Sequence, residues 1–309
     1  MRHIRIGARG SRLSRVQAAS VSSALLAAHP NLQITIVIFK TEGDRLLESP
    51  LPLIGGKGVF TEEIEHALLE GAIDVAVHSL KDLPVAQPDG LVIGAIPERG
   101  DVSDLLICRR ANDLWSLPHQ AVVGTSSLRR AAQLRAVRSD LQPRSIRGNV
   151  ETRIKKLLDP AQNFDAIVLA RAGVDRLRIQ IEHSHVLEPE VMLPAPGQGA
   201  LAVQCRETGL VRDLISEINH PISHFCTTAE RAFLSGLGGG CSIPVAAIGT
   251  ITGGSMTLRG RVSAVDGTST IDACITGSCA SENDARDIGA DLATKAIEAG
   301  AREMLEAAV

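Results

Sequence analysis

Over its first two-thirds the chain alternates short apolar runs with longer stretches whose apolar residues recur at helical spacing, as strands and helices packed on one another do. His3–Ile6 reads as a short strand. Ser11–Ala28 reads as a helix, with Leu13, Val16, Val21 and Leu25 on its apolar side and Pro30 ending it. The run ITIVIF at Ile34–Phe39 is nearly unbroken, which predicts a strand covered on both faces. Thr61–Glu70 predicts a helix whose acidic first turn suits the positive end of the helix dipole. Ile73–Val77 and Leu91–Ile96 read as further strands.

A second set of the same kind follows. Leu105–Cys108, Val122–Gly124 and Ala166–Ala170 read as strands, Leu128–Arg138 as a basic helix, and Ala200–Gln204 as a strand after the loop LPAPGQG. Strands alternating with helices predict parallel sheets with right-handed crossovers, and two such sets predict two α/β lobes. After about Asn219 the pattern changes. Val245–Thr250, Thr257–Ser263 and Thr270–Thr276 are consecutive strands, with Gly253-Gly254 and Asp266-Gly267 as turns. One long helix over about Glu282–Glu306 closes a small α+β domain.

Composition narrows the function classes. A chain of 309 residues holds two or three domains. Aromatic residues are 2% and Tyr is absent, so the core must be Leu, Ile, Val and Ala, and stacking platforms for single-stranded nucleic acid are not expected. A net charge of -3 supplies no global basic field to recruit nucleic acid or an anionic membrane. The N-terminal MRHIRIGARGSRLSR has no apolar run before a small-residue cleavage site, so no signal peptide is read. No stretch reaches the ~20 apolar residues of a membrane helix, and the expected compartment is the cytosol. Cys108, Cys205, Cys226, Cys241, Cys274 and Cys279 include no CxxC pair, which argues against a zinc site, and no metal is expected. Each is by default a small buried thiol.

Charge is placed locally beside backbone turns. Arg9-Gly10-Ser11 lies where a strand meets a helix N-terminus, which is either an anion site or a solvated Arg beside a Ser cap. Gly55-Gly56-Lys57-Gly58 lacks P-loop spacing; it lets a ligand approach the backbone or is an ordinary loop. His78-Ser79-Leu80-Lys81-Asp82 ends a buried strand, where α/β proteins bind ligands, although Lys81 and Asp82 also suit a plain surface pair. Thr125, Ser126 and Ser127 lie between a strand and a helix, with Arg129, Arg130, Arg147 and Arg153 near by in sequence. A solvated face has the same look, but the planar fork of Arg grips carboxylates through two hydrogen bonds, so the cluster suits a ligand with several carboxylates. Cys241 follows three glycines, which predicts an exposed, flexible loop and a nucleophile, an attachment point or a redox sensor.

Seven segments, in order, carry a family resemblance: RIGARGSRLSRVQA, GGKGVFTEEIEHALL, DVAVHSLKDLP, VGTSSLRRAAQL, RSIRGNVETR, LPAPGQGALAV and AERAFLSGLGGGCSIPVAA. Together they resemble the porphobilinogen deaminases (hydroxymethylbilane synthases). The resemblance implies two periplasmic-binding-protein-like lobes that form a cleft, plus a small C-terminal α+β domain with a three-stranded antiparallel sheet and helices. The implied domains are residues 1–97 with 198–216, residues 103–192, and residues 220–309, the last carrying Cys241. It implies a transferase that joins four porphobilinogens head to tail, with loss of ammonia, on a dipyrromethane cofactor held by a thioether to Cys241. Water then releases hydroxymethylbilane. Each pyrrole carries an acetate and a propionate, so carboxylates accumulate as the product grows. Asp82 matches the family's catalytic Asp, whose carboxylate stabilises the cationic azafulvene left when ammonia departs and shuttles protons. The implied cofactor ligands are Ser79, Lys81, Asp82, Thr125, Ser127, Arg129, Arg130, Arg147 and Gly148. The implied substrate ligands are Arg9, Ser11, Lys57, Arg147, Arg153 and Gln198, in a monomer with no nucleic-acid or membrane partner.

The sequence departs from the family at Leu53, where many relatives have Lys, at Arg12, where Pro is common, and at Gly238, where several have Glu. Two rival readings share the pattern. One is a non-catalytic two-lobed binding protein for a polycarboxylate. The other is an enzyme with Cys241 as nucleophile and His220 or His224 as base.

Overall fold

The strand–helix alternation builds two five-stranded sheets, and the last strands build a third of three. The computed structural model describes residues 2–39, 61–239 and 243–306. The chain divides into two compact units, Met1–Gly100 with Ala200–His224, and Asp101–Gly199 with Phe225–Val309.

In the first unit the strands are β1 (Arg2–Arg9), β2 (Leu32–Phe39), β3 (Val75–Ser79), β4 (Leu91–Ala95) and β10 (Leu201–Arg206), in the order β2-β1-β3-β10-β4. Helix α1 (Arg12–Ala28) buries Val21 and Leu25 against Ile4, Ile6, Val75 and Val203 on one face, helped by Ile215 of α6 (Leu210–Ser216). Helix α2 (Glu62–Leu69) covers the other face with Ile64 and Leu68 against Ile73 and Ala76. The apolar run at Ile34–Phe39 is not covered on both faces as predicted: β2 ends the sheet order, and Ile38 is 39% exposed. An unbroken apolar run does not by itself distinguish a central strand from an edge one.

The second unit holds β5 (Asp104–Cys108), β6 (Val122–Gly124), β7 (Gln142–Arg144), β8 (Ala166–Ala170) and β9 (Ser184–Leu187), in the order β7-β6-β8-β5-β9. Helix α3 (Leu128–Val137) brings Leu134 to one face with Leu106, Val123 and Val168. Helices α4 (Val150–Leu158) and α5 (Arg171–Leu177) bring Leu157 and Val174 to the other, with Ile107 and Ile167. Neither sheet is wholly parallel. β10 runs antiparallel to β3 and β4, and β5 antiparallel to β8 and β9. A local βαβ crossover makes its two strands parallel, but β10 and β5 are the strands by which the chain enters each sheet from the other unit, so that constraint is absent.

The same unit contains β11 (Val245–Thr252), β12 (Ser255–Ser263) and β13 (Thr270–Ser278), an antiparallel meander with Gly253-Gly254 as its first turn. Its buried face packs Met256, Leu258 and Val262 on Phe233 of α7 (Pro221–Gly236) and Leu292 of α8 (Glu282–Glu298). The single long C-terminal helix predicted from the sequence is two helices. Gly300, at φ +95, breaks the chain between α8 and α9 (Ala301–Glu306), because an L side chain rarely adopts that conformation. Among the described residues no helix is long and apolar enough to cross a membrane.

Candidate functional site

In the first unit, β1 and β3 are parallel neighbours, so Arg9 and Ser79 end at the same edge of the sheet. The serine hydroxyls there have defined neighbours. Ser11 caps α1 by accepting from Ser14 N at 3.1 Å, and Ser14 Oγ accepts from Arg9 N at 3.0 Å. Ser79 Oγ accepts from the buried Gln17 Nε2 at 2.9 Å. A Ser hydroxyl whose lone pair is taken in this way keeps its own hydrogen to donate, and that suits an anion. Next comes the turn Leu80–Asp82. Leu80 (0% exposed) and Leu83 (2%) are buried, and Leu80 N donates to Ala200 O at 3.0 Å. Lys81 is half-buried, and Asp82 is exposed. The backbone of the turn is thus anchored while the Asp82 carboxylate is open to solvent.

His78, named in the strand-end motif, begins a buried polar chain whose other members, Gln204, Glu65 and Gln87, the sequence reading does not single out. His78 Nε2 contacts Gln204 Oε1 at 3.1 Å, and Gln204 Nε2 donates to Glu65 and to Gln87, each at 3.0 Å. Gln204 Nε2 is thus a double donor, so its Oε1 accepts and His78 carries its proton on Nε2. Burial pushes the His78 pKa down to about 4, against a smaller upward pull from Gln204, and the charge of Arg9 lowers it further. His78 is therefore neutral at neutral pH.

In the second unit the two basic motifs are tied together. Ser126 Oγ donates to Ile146 O at 2.8 Å and accepts from Ile146 N at 3.2 Å, which places the segment before Arg147 against the segment before α3. Thr125 is buried, with its Oγ1 accepting from Ser127 N at 3.2 Å, and Ser127 caps α3 through Arg130 N at 3.4 Å. Arg153 Nε donates to Gly148 O at 2.8 Å, and Lys156 Nζ to Arg147 O at 3.2 Å, so α4 holds the Arg147-Gly148 turn. Arg147 and Arg153 are half-buried.

Arg129, Arg130 and Gln198, read from the sequence as ligand-binding groups, meet on a buried residue that reading missed. Asp104 is 0% exposed. Its Oδ1 accepts from Arg130 Nε at 3.1 Å, Arg130 Nη2 at 2.7 Å and Gln198 Nε2 at 3.0 Å. Its Oδ2 lies 2.7 Å from Arg129 Nη2. Burial pushes the Arg129 pKa below its ordinary value, Asp104 offsets part of this, and the charge of Arg130 adds to the fall. The signal was an acid opening an otherwise apolar strand, DLLIC, when the Arg-bearing helix has no acid in its own first turn. A second missed carboxylate, Glu230 on α7, is also 0% exposed. It accepts from Gly197 N at 2.7 Å and from Gly249 N at 2.9 Å, anchoring the loop that carries Gln198.

Lys57, Leu53 and Cys241 lie outside the described residues. The approach to Cys241 is visible as far as Gly239. Gly238 (φ +94) and Gly239 (φ +55) stop α7, with Gly239 N returning to Leu234 O at 2.9 Å. Cys108, Cys205, Cys226 and Cys279 are buried, and Cys274 is exposed. Burial pushes the thiols of Cys108 and Cys205 up to about 11, which removes them as nucleophiles. His220 and His224, the candidate bases of one rival reading, contact Ser223 at 2.8 Å and Asn219 at 3.0 Å.

Comparison with known proteins bears on this arrangement. Residues 4–210 match the family model "Porphobilinogen deaminase, dipyromethane cofactor binding domain", and residues 224–298 match "Porphobilinogen deaminase, C-terminal domain". The chain is 43% identical over 306 residues to the porphobilinogen deaminase of Syntrophobacter fumaroxidans, covering 99% of this chain and 97% of that one. It is 45% identical over 306 residues to that of Syntrophomonas wolfei, covering 99% and 98%. Among solved structures, the BenM effector binding domain with benzoate aligns at a TM-score of 0.43 and 13% identity, over 70% of this chain and 90% of that one. On both family models and on relatives matched from end to end, the chain belongs to the porphobilinogen deaminase family.

Proposed function

We propose that this chain is a transferase that condenses four porphobilinogen molecules head to tail, releasing ammonia, on a dipyrromethane primer joined through a thioether to Cys241, and then frees hydroxymethylbilane by hydrolysis. The observation that carries the reading is Asp82, an exposed carboxylate on a turn whose flanking leucines are buried, at the strand edge where Arg9 and Ser79 end. A protein that only bound polycarboxylates would gain from a cation such as Arg9 at that edge and lose from an exposed carboxylate at the same edge.

The residues fit the primer by the chemistry of their donors. Its acetates and propionates need cations and neutral hydrogen-bond donors. Arg129 is buried and shares the single carboxylate of Asp104 with Arg130, while Ser11, Ser79 and Ser127 are hydroxyls whose acceptor side is taken. When bound, the primer supplies an electron-rich pyrrole carbon as the growing end. Lys81, Ser79, Thr125, Ser127 and Arg129 would hold its carboxylates, and Arg9, Arg147 and Arg153 those of incoming porphobilinogen. Asp82 holds negative charge where ammonia leaves the substrate, stabilising the cation that develops there, and its Oδ atoms take up and return the proton. The proposal keeps the three-domain division at residues 1–97 with 198–216, 103–192 and 220–309. It also keeps the cytosolic, monomeric state that the family resemblance implies.

The test is to add porphobilinogen to the purified chain and follow ammonia release and tetrapyrrole, directly or after its spontaneous closure to uroporphyrinogen I. The expected result is both products in a ratio of about four ammonia per tetrapyrrole, fixed by the head-to-tail condensation and its electrophilic step. Substrate left unchanged by a folded chain overturns the proposal.

A further inference from the structure

We propose that Asp104 is a positioning residue for primer capture: it sets Arg129 and Arg130 side by side, faces Arg129 to the ligand, and leaves the pair one unbalanced positive charge that a primer carboxylate neutralises. This rests on the reading that the chain carries a dipyrromethane primer.

Arg is protonated at any working pH, so Arg129 and Arg130 bring two positive charges to one carboxylate, and Gln198 adds none. The three charged side chains are 5%, 7% and 0% exposed. A buried charge without a counter-charge is strongly unfavourable, and removing one member of a buried ion pair is more damaging than replacing the pair. The cluster is thus built to be neutral with one further anion.

The hydrogen bonds then separate the two arginines. Each nitrogen of Arg130 has a partner: Nε and Nη2 donate to Asp104 Oδ1, and Nη1 donates to Val168 O at 3.1 Å. Arg129 uses Nη2 on Asp104 and Nη1 on Leu193 O at 2.6 Å, and among the described residues its buried Nε has no hydrogen-bond partner. Leu193 O also accepts from Gln133 Nε2 at 3.1 Å, so the carbonyl that orients Arg129 is itself fixed. Arg130 is the scaffold of this cluster, and Arg129 is the donor with capacity left for a carboxylate.

The test uses the full chain, produced in cells that make porphobilinogen, and reads primer load by intact-protein mass alongside thermal unfolding. In Asp104→Asn the primer-bearing fraction should fall on the order of tenfold or more, the loss expected when a hydrogen bond to a charged group goes. Two charge-restored doubles make the decision, because both return the cluster to a single net positive charge. Asp104→Asn/Arg130→Gln should recover both melting temperature and primer load, since the carboxamide oxygen introduced at position 104 can still accept from Arg129. Asp104→Asn/Arg129→Gln should recover melting temperature but stay without primer. A purely structural Asp104 would let both doubles load alike, and that result overturns the proposal. So does an Asp104→Asn chain that loads like wild type, or failure of both doubles to fold, since the damage is assigned to unbalanced charge. A wild-type chain with no added mass removes the underlying reading and this proposal together, whereas a loaded wild type with equal doubles removes this proposal alone.

Discussion

Replacing Glu230 by Gln tests whether one buried carboxylate holds three parts of the second unit together. Glu230 lies on α7, 0% exposed, and its two oxygens face different amides: Oε2 accepts from Gly197 N at 2.7 Å and Oε1 from Gly249 N at 2.9 Å. A carboxylate accepts on both oxygens, but a carboxamide has one acceptor and one NH2. In either orientation Glu230→Gln therefore turns a donor against one of the two amides. A hydrogen bond to a charged group contributes about 1.5–3 kcal/mol, and stranding its buried partner costs about 1–3 kcal/mol. Removing a buried charge returns part of this, so local opening should become easier by about 2 kcal/mol, which is about 30-fold in the opening equilibrium. Because the chain has several cores, a single unfolding free energy is the wrong measure. Amide hydrogen exchange followed on peptides spanning residues 193–199 and 246–251 reads the two contacts directly. Exchange should accelerate by about that factor in at least one of these peptides while peptides from β1 and β3 stay unchanged. Unchanged protection in both segments would refute the assignment of Glu230 as their anchor.

Asp82→Asn should leave the melting temperature within a degree or two of wild type, because the side chain is exposed, yet lower turnover by at least about 10²-fold; a near-normal rate rejects the catalytic role. Gly148→Ala should strain the turn between Arg147 and Arg153, because the new Cβ would lie 2.7 Å from Thr152 Cγ2 at a φ of +114. The expected cost is about 1–3 kcal/mol in the local stability of that turn, with a raised KM for porphobilinogen and a smaller change in kcat. An unchanged KM counts against Arg147 and Arg153 as carboxylate ligands. His78, with its pKa depressed to about 4 by burial, takes up a proton in the unfolded chain before it does in the native one. Its contribution to stability is complete above its unfolded value of about 6.5 and is lost as pH falls from there toward 4. Melting temperatures across that range should fall less steeply in His78→Gln than in wild type, and equal slopes would show that His78 is not the group that titrates.

The sequence carries the strand and helix order well, because apolar spacing reports burial within one element. Val122–Gly124 and Ala166–Ala170 lie where the pattern put them, and Ser11 is the helix cap that one reading of its position suggested. What lies between elements is less legible. The edge position of β2 and the antiparallel entry of β10 and β5 depend on pairing partners far along the chain, which periodicity does not encode. The polar residues at strand ends were legible for the same reason that makes them accessible: they interrupt apolar runs next to turns. The buried acids were not. Asp104 finds its partners 26 and 94 positions away, and Glu230 finds Gly197 at 33, so neither belongs to a local motif. Arg129 and Arg130 look alike in the string LRR, yet the structure gives Val168 O to one and Leu193 O to the other.

The proposed chemistry needs a pyrrole primer attached through sulfur. Intact-protein mass spectrometry of the wild-type chain and of Cys241→Ser, prepared side by side, measures this most directly. The wild type should exceed its sequence mass by one dipyrromethane and Cys241→Ser should match its own sequence mass. A wild-type chain at its bare sequence mass, or an equal increment in both proteins, would contradict the account.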